Sequence, residues 1–148
     1  MAEVKAFKAL RFTAKAGDIS KNVCPPYDII SEEERLGFIK TSENNIIRLE
    51  KPVGDNAYEE AKKLYLEWSD KGIIDCDEKK GMYVYEEEFE ALGNMYKIRG
   101  IFVRVRLEEF DKGVVLPHEE TLSKAKQDRF DLMCSTFCNF SPIYCMYT

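Results

Sequence analysis

The sequence predicts an α+β fold: a mixed or antiparallel β-sheet with two or three helices packed on it. Three observations carry that expectation. Two stretches, residues 82–90 and 95–107, flank the turn sequence ALGN and alternate like strands, with Tyr83, Tyr85 and Phe89 on one face of the first and Tyr96, Ile98 and Phe102 on one face of the second. Ala57, Ala61, Leu64, Tyr65 and Trp68 recur at helical spacing. Ser31 is followed three residues later by Glu34, the signature of a capping box at a helix start. A chain of 148 residues has the size of one domain and enough apolar content to bury a core, so residues 1–148 are read as a single domain.

The elements follow in order. Residues 4–12 read as a first strand, with Val4, Ala6, Phe7, Ala9, Leu10 and Phe12 interrupted by Lys5 and Lys8, and Gly17-Asp18 signals a turn. Pro25 and Pro26 fix their own backbone and push the residue before each into extended geometry. Tyr27 and Asp28 are thereby presented at a defined place. Ser31 caps a helix that runs to Lys40 or Thr41, with Glu32 and Glu33 at its positive end. NNIIRLE reads as a short strand closed by Lys51-Pro52. Asp55 is placed to cap the helix that carries the Trp68 stripe, Trp68 is its core anchor, and Gly72 stops it. In the hairpin, Glu86-Glu87-Glu88 is a charged strand face; adjacent carboxylates point to opposite faces of a strand and make a poor cation cage. Gly113 turns the chain, VVL continues as strand, Pro117 ends it, and helix resumes at Thr121 or Ser123. The last residues, FSPIYCMYT, read as a further strand in which the chain stops.

Composition bounds the function. The net charge of −5 argues against nucleic acid as the partner, because phosphate binding calls for a basic surface. No apolar run approaches a membrane span and the first residues are too polar for a signal peptide, which predicts a cytoplasmic protein. Five cysteines (Cys24, Cys76, Cys134, Cys138 and Cys145) are scattered and odd in number, which predicts reduced thiols. Cys134 and Cys138 share a helical face, but zinc needs two further ligands at workable spacing, and no metal site is assigned.

FKALRF, CPPYDIIS, MYVYEEEF, HEETLSKAKQDR and NFSPIYCMY occur in an order and spacing that resembles the domain-of-unknown-function 1015 family of bacterial and archaeal proteins. The resemblance covers essentially the whole chain. Its specific parts are PPYD and HE-x-T-x-x-K-x-x-x-DR; Ala125 stands where the family pattern has proline. Members of the family are longer. They continue into a second half with an Asp-Gly-His-His-Arg motif similar to the phosphate-binding signature of ParB-like and sulfiredoxin-like proteins, some of which are nucleotide-dependent kinases of free serine. The resemblance therefore implies an N-terminal part truncated before that second half. The full-length protein is expected to use ATP or ADP with magnesium on a small-molecule substrate, and the part alone is expected to bind no cofactor and to be inactive.

On that reading the stretch GVVLPHEETLSKAKQDR is half of a kinase site. A kinase of a hydroxyl needs a base near the nucleophile and cations over the phosphoryl group. His118, Glu119 and Glu120 are the candidate catalytic residues, His118 because its ordinary pKa is near neutral. Lys124, Lys126 and Arg129 are candidate phosphate ligands, Arg129 through forked contacts. Thr121 is placed to cap the helix and leave its first amides for an anion. Tyr27 and Asp28 are candidates for recognising a polar substrate. The same stretch also fits a solvated helix start, and PPYD a rigid turn. Two further classes stay open: a non-catalytic binding or regulatory module of ParB-like type, and a thiol protein built on Cys134 and Cys138, which lacks a C-x-x-C pair and a basic neighbour. A terminal strand with an open edge would also allow a homodimer.

Overall fold

A computed structural model describes residues 1–117 and 122–146 of the protein. Within them the fold is α+β, with four α-helices and short antiparallel β-ladders. The described residues divide into two compact units, one of residues 1–11 and 76–117, the other of residues 12–75 and 122–146.

The first unit is built on a hairpin. β4 (Tyr83–Ala91) pairs antiparallel with β5 (Asn94–Phe102) in a register that sets Phe89 opposite Tyr96 and Tyr83 opposite Phe102. The alternation read from the sequence is the alternation found. Phe89 stacks on Tyr96 at 5.7 Å between ring centroids, and Tyr85 meets Phe102 at 5.2 Å. The turn needs two left-handed residues, Leu92 and Gly93, whose twist matches that of the strands. Glu86, Lys97 and Arg99 lie on the other face, where Glu86 is paired with both cations and Lys97 also reaches Glu88. Glu86 and Glu88 thus belong to a charged strand face, while Glu87 lies opposite Ile98 on the aromatic face, as the pleat requires. β1 (Val4–Lys5) pairs antiparallel with β6 (Arg104–Val105), and Phe7 bridges to Gly81. The single strand expected over residues 4–12 is therefore broken in two. The strand expected over residues 95–107 likewise ends at Phe102 and resumes as β6. VVL is not strand: Glu109 precedes a short 3-10 turn, Phe110–Lys112, after which the chain finds no ladder among the described residues.

β2 (Leu10–Phe12) pairs with β3 (Ile74–Cys76), and the chain passes between the units within these two strands. Beyond them, the Thr13 amide donates to the Ile73 carbonyl and the Asp77 amide to the Ala9 carbonyl. One partner number falls as the other rises, so the pair is antiparallel.

The second unit holds the core. α1 (Glu32–Thr41) begins with the expected capping box: the Glu34 amide donates to Ser31 Oγ, and the Ser31 amide donates to the Glu34 carboxylate. α3 (Ala57–Asp70) buries Ala61 and Trp68, and Trp68 lies 5.8 Å from the Phe12 ring. Asp55 does not cap it; Asn56 holds that position, without a side-chain cap bond. α4 (Ser123–Thr136) packs on α3 and buries Leu132.

NNIIRLE is helix, not strand: α2 spans Ile47–Glu50. Asn45 decides this. Its Oδ1 accepts from the Ile47 amide, and its Nδ2 donates to the carbonyls of Lys21 and Val23. A buried amide satisfied on both sides fixes a helical start, and the two apolar residues that follow it at alternate positions, Ile47 and Leu49, are wholly buried. Tertiary contacts override the β-preference of the two isoleucines. Residues 139–146 are not strand either; they run without a ladder, and Ser141 is spent on a side-chain bond described below.

Candidate functional site

Within the second unit, five separate pieces of chain converge on one arginine. Pro25 and Pro26 lead into a turn closed by a 3.2 Å bond from the Ile29 amide to the Pro26 carbonyl, with Tyr27 and Asp28 at its centre. The turn holds the Tyr27 ring 3.8 Å from the guanidinium carbon of Arg129, on α4. A guanidinium over a tyrosine face is drawn to the ring's negative face, the more so when half-buried. Arg129 Nε and Nη2 both donate to Asp128 Oδ2, at 2.8 and 2.5 Å, and Nη2 donates to the Glu50 carbonyl at 2.9 Å. Tyr58 on α3 donates to the other oxygen of Asp128 at 2.8 Å. Burial and this bond to Asp128 push the Tyr58 hydroxyl above its ordinary range.

Arg129 is held on three sides, and Nη1 is left over. It is buried and, among the described residues, has no hydrogen-bond partner. Buried donors are rarely left so, because an unmade bond costs the whole desolvation of the group.

Beside it lies the Glu50 carboxyl, at the C-terminal end of α2. Oε1 accepts from Ser141 Oγ at 2.7 Å, and Oε2 has the Cys24 thiol at 4.0 Å. Burial raises the Glu50 pKa; the Ser141 bond and the Arg129 charge pull it down, and Asp28 pushes it up again. Burial and the Glu50 charge push the Cys24 thiol up to about 11, so it is no thiolate at neutral pH. No disulfide joins any of the five cysteines, and the described residues hold no group of three or more His, Cys, Asp or Glu placed to hold a metal ion.

Of the residues named from the sequence, Tyr27 and Arg129 are brought into contact across a hundred positions of chain, and Asp28 is close enough to act on Glu50. Lys124 and Lys126 are exposed on α4, and their side chains make no hydrogen bond or ion pair with the described residues. His118, Glu119, Glu120 and Thr121 lie outside the described residues. Sequence reasoning missed Glu50, Tyr58 and Ser141. Asp128 stands in the DR pair of the motif and was within reach; nothing local marks the other three, because what distinguishes them is burial. The cluster coincides with neither of two open grooves, one of about 370 Å³ lined by Arg35, Arg48, Lys63 and Glu67 of the second unit, the other beside Lys5 and Arg106 of the first. Both are shallow and open and mix charges of both signs with cations in excess, and the buried cluster has the stronger chemistry.

No helix of the described residues is long and apolar enough to cross a membrane. A family model described as "Protein of unknown function (DUF1015)" matches residues 4–148. No curated protein and no solved structure matches the chain, so nothing there extends the resemblance to ParB-like or sulfiredoxin-like proteins.

Proposed function

We propose, taking as premise that the chain belongs to the DUF1015 family of proteins of unknown function, that it is the substrate-side part of a nucleotide-dependent kinase acting on a small hydroxyl metabolite such as free serine. One observation carries the reading. The two motifs of the chain, PPYD and the DR of HEETLSKAKQDR, meet at Tyr27 and Arg129 around a donor with no partner among the described residues. A rigid turn and a solvated helix would have no need of that meeting. A preformed polar site lined by an aromatic ring is what a small polar substrate requires.

In this proposal Glu119 or Glu120, or His118, takes the proton of the attacking hydroxyl, while Lys124, Lys126 and Thr121 serve the transferred phosphate. The nucleotide is ATP or ADP, and magnesium comes with its phosphates, since it is commonly held by one or two carboxylates and the substrate's own oxygens. The chain's own part is to orient the hydroxyl compound against Tyr27, Asp28 and Arg129.

The test is phosphorus NMR on the full chain as encoded, with ATP or ADP, magnesium and a panel of hydroxyl metabolites headed by L-serine. A phosphorylated product that disappears in Glu119→Gln or Glu120→Gln is the expected result. Absence of transfer, together with no nucleotide binding by calorimetry, would overturn the kinase and leave a non-catalytic binding module.

A further inference from the structure

Donor geometry and charge at the buried cluster restrict what can bind there. A guanidinium carries five N–H groups, and its forked contacts use either Nε with Nη2 or Nη1 with Nη2. In Arg129 both forks are engaged, because Nε and Nη2 are on Asp128 and Nη2 also serves the Glu50 carbonyl. What remains is a single nitrogen, Nη1. One nitrogen serves one acceptor oxygen and offers no fork to carboxylate or phosphate alike, so charge decides between them.

The positive charge of Arg129 is already matched by Asp128 at 2.5 Å. Glu50 and Asp28 then leave the neighbourhood acidic, and both lie close enough to influence one another. A dianion entering there is repelled by the half-buried Glu50 carboxyl, whose charge is poorly screened, and by the exposed Asp28 beside it. An ammonium is attracted by the same two groups. Tyr27 covers one face of the guanidinium.

We infer that the Arg129 cluster holds the two ends of a small zwitterion, with the ligand's carboxylate on Arg129 Nη1 and its ammonium between Glu50 and Asp28, and that it is not a phosphate site. This moves Arg129 from the phosphate side to the substrate side. It deepens the kinase reading by naming the substrate class, an amino acid, and rests on that reading only for what is done to the ligand afterwards.

Calorimetry on the full chain tests it directly. L-serine, glycine and L-aspartate are titrated as zwitterions, ethanolamine as an ammonium without the carboxylate, glycolate as a carboxylate without the ammonium, and inorganic phosphate as the rival anion. The expected result is binding of at least one zwitterion, about tenfold or more loss for each one-ended analogue, and no competition by phosphate. Glu50→Gln, which keeps the shape of the side chain and an acceptor for Ser141, is expected to weaken the zwitterion about tenfold and not to weaken glycolate, which loses a repelling neighbour. Arg129→Lys is expected to weaken both, with circular dichroism checking that the fold is kept. Binding of phosphate in preference to every zwitterion, glycolate as tight as L-serine, or no zwitterion bound at millimolar concentration each overturns the inference. The two readings fail separately. Phosphoryl transfer to a neutral alcohol without zwitterion binding sinks this one and keeps the kinase; zwitterion binding without transfer does the reverse.

Discussion

The two units of this chain hold themselves together by different means. Every buried apolar side chain of the described residues (Ala16, Ile30, Ile47, Leu49, Ala61, Trp68, Ile74 and Leu132) belongs to the helical unit. The hairpin unit has none. Val84 is 74% and Leu92 96% exposed, and the cohesion of that unit comes from cross-strand aromatic pairs and a ladder of ion pairs. A two-stranded hairpin is marginal by itself, and exposed ion pairs add little. The helical unit is where burial is deep enough to shift the chemistry of a side chain, and that is where the polar cluster lies. A carboxyl whose pKa is raised by burial needs a dry surrounding, which a hairpin solvated on both faces does not supply.

The largest effect should come from the core. Trp68→Ala removes a side chain that is only 2% exposed and packed on Phe12, at a cost of about 3–5 kcal/mol. Urea denaturation followed by circular dichroism should show the helical signal melting at much lower denaturant. A shift of a few tenths of a kcal/mol would mean that the core is not where stability resides. The hairpin responds to a different change. A Cβ on Gly100 would stand 2.0 Å from Cε1 of Tyr85, so the ring rests on the glycine and must move for any larger residue. Gly100→Ala forces Tyr85 off that position and off Phe102, costing about 1–3 kcal/mol. Hydrogen exchange should show the loss in the β4 and β5 amides, with α3 amides unchanged. Equal loss in both would show that the units unfold as one.

What could be read from the sequence divides along a related line. The capping box, the Trp68 stripe and the aromatic hairpin were legible because each is a local pattern whose partners lie within a few residues, or across one turn. NNIIRLE was not, because its helix depends on Asn45 reaching Lys21 and Val23, more than twenty positions away. FSPIYCMYT and VVL have strand-like composition but no partner strand among the described residues, and composition does not supply one. The site divides in the same way. Tyr27, Asp28 and Arg129 were marked by motif. Glu50 and Ser141 became visible only when folding brought residues 91 positions apart within 2.7 Å of each other.

The smallest effect is the most diagnostic, since it concerns one proton. Glu86 on the hairpin is held below the ordinary carboxylate range by Arg99 and then Lys97, so any stability it contributes is present at neutral pH and lost as pH falls through its folded pKa. Glu50 has the opposite sign. Burial sets its folded pKa above its unfolded one, so the folded protein binds the proton more tightly. Its ionised form therefore opposes folding. That penalty grows as pH rises from the unfolded to the folded pKa, stays constant above, and is absent below both. Glu50→Gln should accordingly raise stability at pH 7, and the gain should vanish when urea melts are repeated below the ordinary carboxylate range. Ser141 keeps an acceptor in the variant, so its bond does not confound the comparison; the lost attraction to Arg129 works against the gain and makes any gain seen the more telling. If Glu50→Gln instead destabilises at pH 7 and the deficit shrinks in acid, Glu50 is a bound counter-ion of Arg129, the cluster is electrically closed, and it has no vacancy for an ammonium. A gain at pH 7 means that a protein has kept an acidic group where folding alone would discard it, and a ligand is the reason that the geometry of Arg129 Nη1 supports.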